Sequence, residues 1–243
     1  MLASTFLLIS LMAAQESTPA PASDANEVIM AMMQRDAERR AEFEGYSGIR
    51  TYVLENAEHQ KRAEMTVRVV CRRNGARSFE VLSETGWGGA RKHVFPKLLE
   101  AEATASQPGS GEDSGVNSEN YSFRMIGIER ICGHTAYAIE ITPKLPKKYL
   151  VRGTIWVDTV DYAILRIEGS PAKTPSFFIR TVRFTHSYQK NGTLWLPESD
   201  ISISDVRIFG PTELTILYRD YQLGAGPLQT ESVAVRTVAA DRQ

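Results

Sequence analysis

Residues 149–221 read YLVRGTIWVDTVDYAILRIEGSPAKTPSFFIRTVRFTHSYQKNGTLWLPESDISISDVRIFGPTELTILYRDY, and this stretch decides the fold. Runs rich in Ile, Val, Thr, Phe, Tyr and Trp are broken at short intervals by Asp, Asn, Gly and Pro, the pattern of an antiparallel meander. Hardly a helical phrase interrupts it, and it holds no cluster of His, Cys or carboxylates spaced for a metal or a nucleophile. A large curved β surface follows, suited to holding an apolar ligand rather than reacting with it. Several strands are apolar on both faces: Ile155, Trp156 and Val157 are consecutive, as are Phe177, Phe178 and Ile179. A sheet with water on one side does not need that pattern, so both faces are expected to be covered, by helices or by a ligand.

Outward from this stretch, the strand text continues towards the N-terminus. Tyr121 opens YSFRMIGIERI, and AYAIEIT follows and turns at residues 143–148. The segment 107–120, QPGSGEDSGVNSEN, lacks apolar periodicity and predicts a mobile loop. Three further strands are expected at about 47–54, 63–72 and 77–83. In the second, Met65, Val67, Val69 and Cys71 alternate with Glu64, Thr66, Arg68 and Arg72, and Asn74-Gly75 signals a tight hairpin to the third. After a break at 86–89, residues 94–105 predict a short helix carrying Phe95, Leu98 and Leu99. Nearer the start, Asp24-Ala-Asn-Glu27 resembles a capping box for a helix running to about Glu44. Its apolar stripe is Val28, Ile29, Met32, Met33, Ala37 and Ala41, and Gly45 ends it. The C-terminal GAGPLQTESVAVRTVAADRQ predicts one edge strand, with residues 232–243 as a frayed tail.

Composition narrows the function. The chain has 243 residues, which suits one large β-rich domain or two small ones. Lys plus Arg (28) nearly balances Asp plus Glu (29), so no broad positive field would gather nucleic acid. Residues 1–14, MLASTFLLISLMAA, are apolar or small throughout, too short to span a bilayer but fitted to a secretory signal peptide. Cleavage there leaves residues 15–23 as a flexible leader. Cys71 and Cys132, 61 residues apart, are the only cysteines. In an oxidising compartment a disulfide between them would contribute about 4 kcal/mol by constraining the unfolded chain. Equally, Cys71 is in phase with Met65, Val67 and Val69 and reads as a small buried hydrophobe.

Reactive constellations are absent from the sequence. His59, His93, His134 and His186 are scattered, and no HExxH, CxxC, GxSxG or phosphate-loop spacing occurs. Cys132 and His134 flank a glycine and could form a thiol–imidazole dyad, but a β-turn with a packed Cys and an exposed His explains them as well. Asp158 and Asp161 in WVDTVDY suit a turn better than a catalytic pair, since Asp accepts local backbone hydrogen bonds. Arg166 and Glu168 share a strand face as charge partners. Lys144, Lys147, Lys148 and Arg152 form a modest basic patch, either a solvated turn or a contact for lipid headgroups. No catalytic residue, metal ligand or cofactor is assigned, and an enzyme is not expected.

Successive phrases carry a family resemblance: RTYVLEN at 50–56, NYSFRMIG at 120–127, GHTAYAIEITPK at 133–144, KYLVRGTIWVD at 148–158, DYAILRIEGSPAKTPSFF at 161–178 and WLPESDISISDVRIFGPTELTILYRDY at 195–221. They resemble the outer-membrane lipoprotein-sorting protein family, the LolA-like group that includes the RseB-type sensor, in a branch of uncharacterised sorting-like proteins. The resemblance implies a mainly β (α+β) fold. Its curved antiparallel sheet would form an incomplete barrel, with an N-terminal helix and a short second helix covering the concave face. Residues 24–231 would form this single half-barrel domain. It also implies a soluble periplasmic protein whose partners are lipid acyl chains or lipoproteins, without catalysis. An envelope sensor of the RseB type, binding a membrane-protein segment, is the alternative. Candidates for an apolar groove are Met65, Val67, Val69, Phe79, Val81, Tyr137, Ile139 and Ile141 on strands, with Met32, Met33, Leu98 and Leu99 on helices. For each of them ordinary core packing is the competing explanation.

Overall fold

The computed structural model describes residues 24–107, 115–147, 149–173, 179–207 and 210–224. Helix α1 spans Ala25–Ala41. It starts where it does because Asp24 is extended and its side chain accepts the Asn26 N–H at 2.9 Å. Glu27 in the first turn and Arg39 and Arg40 in the last complement the helix dipole. The helix stops at Ala41, short of the expected Glu44, with Glu42 as its C-cap. Gly45 then turns the chain at φ 96°, where a side chain would also collide with the Cys71 carbonyl.

Ten strands follow: β1 (Tyr46–Asn56), β2 (Lys61–Cys71), β3 (Arg77–Gly86), β4 (Tyr121–Ile131), β5 (His134–Pro143), β6 (Val151–Asp158), β7 (Ile164–Pro171), β8 (Ile179–Asn191), β9 (Leu194–Val206) and β10 (Gly210–Leu223). All are antiparallel in one sheet of order β3-β2-β1-β10-β9-β8-β7-β6-β5-β4. The closing pair is long-range: β10 returns to β1, with Tyr46 opposite Leu223 and Glu55 opposite Glu213. β3 and β4 remain as edges, so the curved sheet is an incomplete barrel. Between them the chain leaves the sheet through α2 (Gly88–His93) and α3 (Phe95–Ala105). The expected second helix corresponds to α3. Helix α2 is an addition in the glycine-rich break, where Gly89 leaves room for the Trp87 ring.

Apolar side chains on the inner face gather into three clusters. Val28, Ile29 and Met32 of α1 pack on Tyr121, Tyr137, Ile139, Ile141, Ile155 and Val157, covering β4 to β7. Ala90 of α2 and Phe95 of α3 pack on Tyr52, Leu54, Met65, Val67, Ile216 and Tyr218, covering β1, β2 and β10. A smaller cluster joins Tyr46, Val69, Cys71 and Leu196. Each fully buried aliphatic or aromatic side chain contributes about 1.5–3 kcal/mol, so the three helices hold the sheet's flanks firmly. The middle strands differ. Leu196 is the one buried apolar residue that β8 and β9 supply among the described residues.

The outer face is not sealed by a second layer, contrary to the expectation from the doubly apolar strands. Ile155 and Val157 point in, and Trp156 points out with its indole N–H on Glu129 (2.9 Å) and the Arg166 guanidinium over its ring. Arg166 in turn pairs with Glu168. Long polar side chains cover the aromatic surface there. Ile201 and Ile203 of β9 stay exposed. Gly153 and Gly169 face each other across β6 and β7 so closely that a Cβ on Gly153 would lie 1.8 Å from the Glu168 carbonyl.

The proposed disulfide is not formed. Cys71 is buried in β2 and Cys132 is exposed in the β4–β5 turn, near opposite edges of the sheet, and both are free. Burial raises the Cys71 thiol pKa, as befits a small hydrophobe. The expected signal peptide and leader, residues 108–114 of the expected loop, Lys148, Phe177, Phe178 and the expected C-terminal strand and tail lie outside the described residues.

Candidate ligand groove

A groove of about 760 Å³ runs between α1 and the sheet. Met32, Met33 and Ala37 of α1 form its apolar wall, with Asp36, Arg39 and Arg40 towards the rim. Gly115, Val116 and Asn117, which precede β4, close one side. The sheet supplies Ala163, Ile164, Tyr188 and Trp195. Such a volume and mixture suit one small amphiphilic ligand or part of a larger one.

The turn between β6 and β7 fixes the rim. Asp158 accepts the backbone N–H groups of Val160 (2.8 Å) and Asp161 (2.7 Å), and its other oxygen meets His134 Nδ1 at 3.0 Å. This confirms the turn role expected of Asp158. Arg39 donates to the Asp161 carbonyl at 3.0 Å and thereby ties α1 to the turn. The Asp161 carboxylate accepts from Lys190 (2.6 Å) and from Trp195 Nε1 (3.1 Å), which holds the indole at the groove wall. Partial burial pushes the Asp161 carboxyl up, but the bonds from Lys190 and Trp195 outweigh it, leaving the pKa below its ordinary value.

Between the two helix-covered flanks the inner face of the sheet is polar. Arg50 of β1, only 1% exposed, donates to Glu102 of α3 at 2.6 Å and to the Tyr46 hydroxyl at 3.3 Å. Tyr52 donates to the other Glu102 oxygen at 2.9 Å. The guanidinium carbon lies 4.8 Å from the Tyr218 ring centre, and the Tyr218 hydroxyl donates to Asp200 of β9. Asp200 also meets His186 Nδ1 of β8 at 2.6 Å. A polar chain thus crosses the floor from α3 to β8. Burial lowers the Arg50 pKa, but Tyr218, Tyr46 and Glu102 outweigh it and the guanidinium stays charged. Burial beside Asp200 raises the Tyr218 pKa, so its hydroxyl remains a donor.

His134 and His186 each turn Nδ1 to a carboxylate, and the Tyr218 hydroxyl donates a hydrogen bond to Asp200. His134 packs edge-on against Trp195, 5.2 Å between centres, rather than serving a thiolate. Among the described residues no group of three or more His, Cys, Asp or Glu could hold a metal ion.

The expected groove residues divide among different surroundings. Met32 and Met33 line the groove. Tyr137, Ile139 and Ile141 pack beneath α1, whereas Met65 and Val67 pack beneath α2 and α3, with Leu98 and Leu99 against them. Val69 lies beside Cys71, and Phe79 touches both of the latter clusters. Val81 is half-exposed on edge strand β3. The floor residues Arg50, Glu102, His186, Asp200 and Tyr218 were not anticipated. Their signal was present in RTYVL, where Arg50 falls in phase with the inward Tyr52 and Leu54.

The fold has known counterparts. It is similar to the LolA superfamily protein NE2245 of Nitrosomonas europaea, with a TM-score of 0.46 at 10% identity over 82% of this chain and 94% of that one. A Vibrio parahaemolyticus domain described as an outer membrane lipoprotein-sorting protein aligns with a TM-score of 0.45 at 13% identity, over 83% and 95% of the two chains. A DUF1329 family protein of Desulfovibrio piger ATCC 29098 gives 0.42 at 12% identity, over 82% and 93%. The likeness is one of fold. A family of unknown function, DUF5686, matches residues 115–218. No curated protein sequence matches.

Proposed function

We propose that this protein is a non-catalytic carrier that holds an acyl chain of a lipid or lipoprotein in the groove between α1 and β7–β9, in the periplasm. One observation carries the reading: the inner face of β8 and β9 lies between two helical covers yet is packed by neither, and methionines face aromatic rings across that gap. Methionine side chains adapt to flexible chains at low cost, which favours binding without a rigid fit. Moving a sixteen-carbon chain out of water gains at most about 12 kcal/mol, at about 0.8 kcal/mol per methylene. A carrier has to match part of that and still release its load. Export is supported by the apolar run at 1–14, and no helix among the described residues is long and apolar enough to cross a membrane.

The test is native mass spectrometry of protein exported to a periplasm and purified without detergent, followed by solvent extraction. Bound phospholipid or acylated peptide that is lost on Ala37→Glu is the expected result. An unliganded mass, together with no uptake of fluorescent fatty acid, would overturn the proposal. Recovery of a membrane-protein segment instead of lipid would favour the sensor alternative.

A further inference from the structure

The outer face of β8 to β10 carries an apolar strip that nothing covers among the described residues. Ile203 is 50% exposed and Ile201 37%, although both lie within β9. Their direction follows from the register. Ile201 is opposite Thr215, and Thr215 is opposite Val53 and next to the inward Ile216. Residues directly opposite one another share a face of the sheet.

The same register builds a symmetric pattern around the two isoleucines. Ile203 has Arg183 of β8 on one side and Glu213 of β10 on the other, and Ile201 has Thr185 and Thr215. One row across the strands therefore reads Arg-Ile-Glu and the next Thr-Ile-Thr. Neighbouring charges are paired: Arg180 with Asp205, Arg166 with Glu168, and Arg62 with Glu55. Among the described residues Arg183 and Glu213 enter no ion pair, and Glu213 accepts only the Thr215 hydroxyl, at 3.2 Å. Its partner on β1 is Glu55, a like-charge contact that costs a lone chain stability. Beside this row, β7 pairs with β8 only from Arg166 to Gly169. A trough of about 440 Å³ opens where that pairing ends, with Ser170, Arg183, Thr185, Ile201 and Ile203 among its walls.

We infer that this outer face docks a second copy of the chain, sheet on sheet, about a two-fold axis running along β9 between the two molecules. Such an axis reverses the strand order of the second copy, so its β10 lies over β8 and its β8 over β10. Ile203 then meets Ile203, and Arg183 of each copy faces Glu213 of the other, with the trough giving that carboxylate room to reach the guanidinium. An axis across the strands would set Arg183 against Arg183, so the charges select the first arrangement. Sheets packed face to face lie about 10 Å apart, a gap that paired isoleucines and an Arg–Glu pair can fill. Curvature limits the contact to a strip about 10–15 Å wide, three strands at about 4.8 Å spacing. The interface is therefore small, below about 1,200 Å² in total, and the dimer weak and reversible. The acyl groove is on the inner face, so this inference stands apart from the carrier proposal.

The test is sedimentation velocity of the full chain over a concentration series reaching about 200 μM, well into the range where such small interfaces associate. A monomer–dimer equilibrium that weakens at high salt is expected. Arg183→Glu and Glu213→Arg should each raise the dissociation constant about 10- to 100-fold, because like charges then face each other twice. An equimolar mixture of these two variants should associate again, since each glutamate then meets an arginine of the other chain. That recovery also excludes misfolding as the cause of the single losses. A monomer at every concentration overturns the inference, and Arg183-dependent sedimentation of that monomer with phosphatidylglycerol vesicles would assign the face to a membrane surface instead. A dimer that survives both substitutions, or one that the mixture fails to restore, overturns the proposed axis and face.

Discussion

Arg50 shows how a single residue shapes this fold. An arginine at a core position of a strand is costly unless its charge is paired, and Glu102 reaches it from α3 while the Phe79 and Tyr218 rings flank it. The ion pair therefore joins the helical cover to the sheet. Breaking one side of a buried pair leaves an uncompensated charge, whereas removing both partners need not. Glu102→Gln should lower stability by about 2–4 kcal/mol, with the partial exposure of Glu102 favouring the lower part of that range. The double variant Arg50→Met/Glu102→Gln should lose clearly less than the sum of the two single losses. Urea unfolding of all four proteins reads the coupling directly, and a single-variant loss below about 0.5 kcal/mol would show that α3 is held by its apolar contacts alone. The position was legible as an anomaly, a charge in phase with Tyr52 and Leu54. Its partner was not, because Glu102 lies on another element 52 residues away, and a lone sequence does not show which carboxylate comes close.

At the scale of elements, strands were read well where alternation or turn chemistry is strong. Asn74-Gly75 joins β2 to β3, with Gly75 at φ 84°, and Met65 to Cys71 alternate as expected. Helix α2 was missed because six residues with two glycines carry too little periodicity to register. Register faults were hidden too, and they matter at the edges. In β3, Leu82 is an extra residue between the pairs Thr66–Ser83 and Val67–Val81; in β4, Ile126 plays the same part between Met125 and Gly127. Each free edge thus carries a bulge, a device that bends an edge away from pairing with another chain. Deleting Leu82 would give β3 an unbroken ladder and present a straight edge to other molecules. The expected outcome is a larger associated fraction by size-exclusion chromatography with light scattering at equal concentration. An unchanged elution profile with intact secondary structure would show that the bulge has no part in keeping the edge unpaired.

For the molecule as a whole, the decisive contact is the one the sequence could not announce. A meander is legible as neighbours pairing in turn, but nothing local says that β10 closes back on β1 or that the helices divide the inner face between them. That closure sets the folding unit. The family match covers residues 115–218, which hold β4 to β9 and most of β10 but lack α1, β1 to β3 and both later helices. Cut there, β10 becomes an unpaired edge, and Ile216 and Tyr218 lose Tyr52, Met65 and Phe95. Tyr137, Ile139, Ile141, Ile155 and Val157 lose α1 as well. Such a fragment would expose an apolar face and a long edge strand together, which leaves too little burial to offset the entropy of ordering it. Residues 24–224 should unfold in urea in one cooperative transition, followed by tryptophan fluorescence and circular dichroism together. A fragment of residues 115–224 should show no such transition and should bind a hydrophobic dye. A sharp, coincident transition in the fragment would mean that β4 to β10 fold independently, and that β1 to β3 and the helices are a cover added to a self-sufficient sheet.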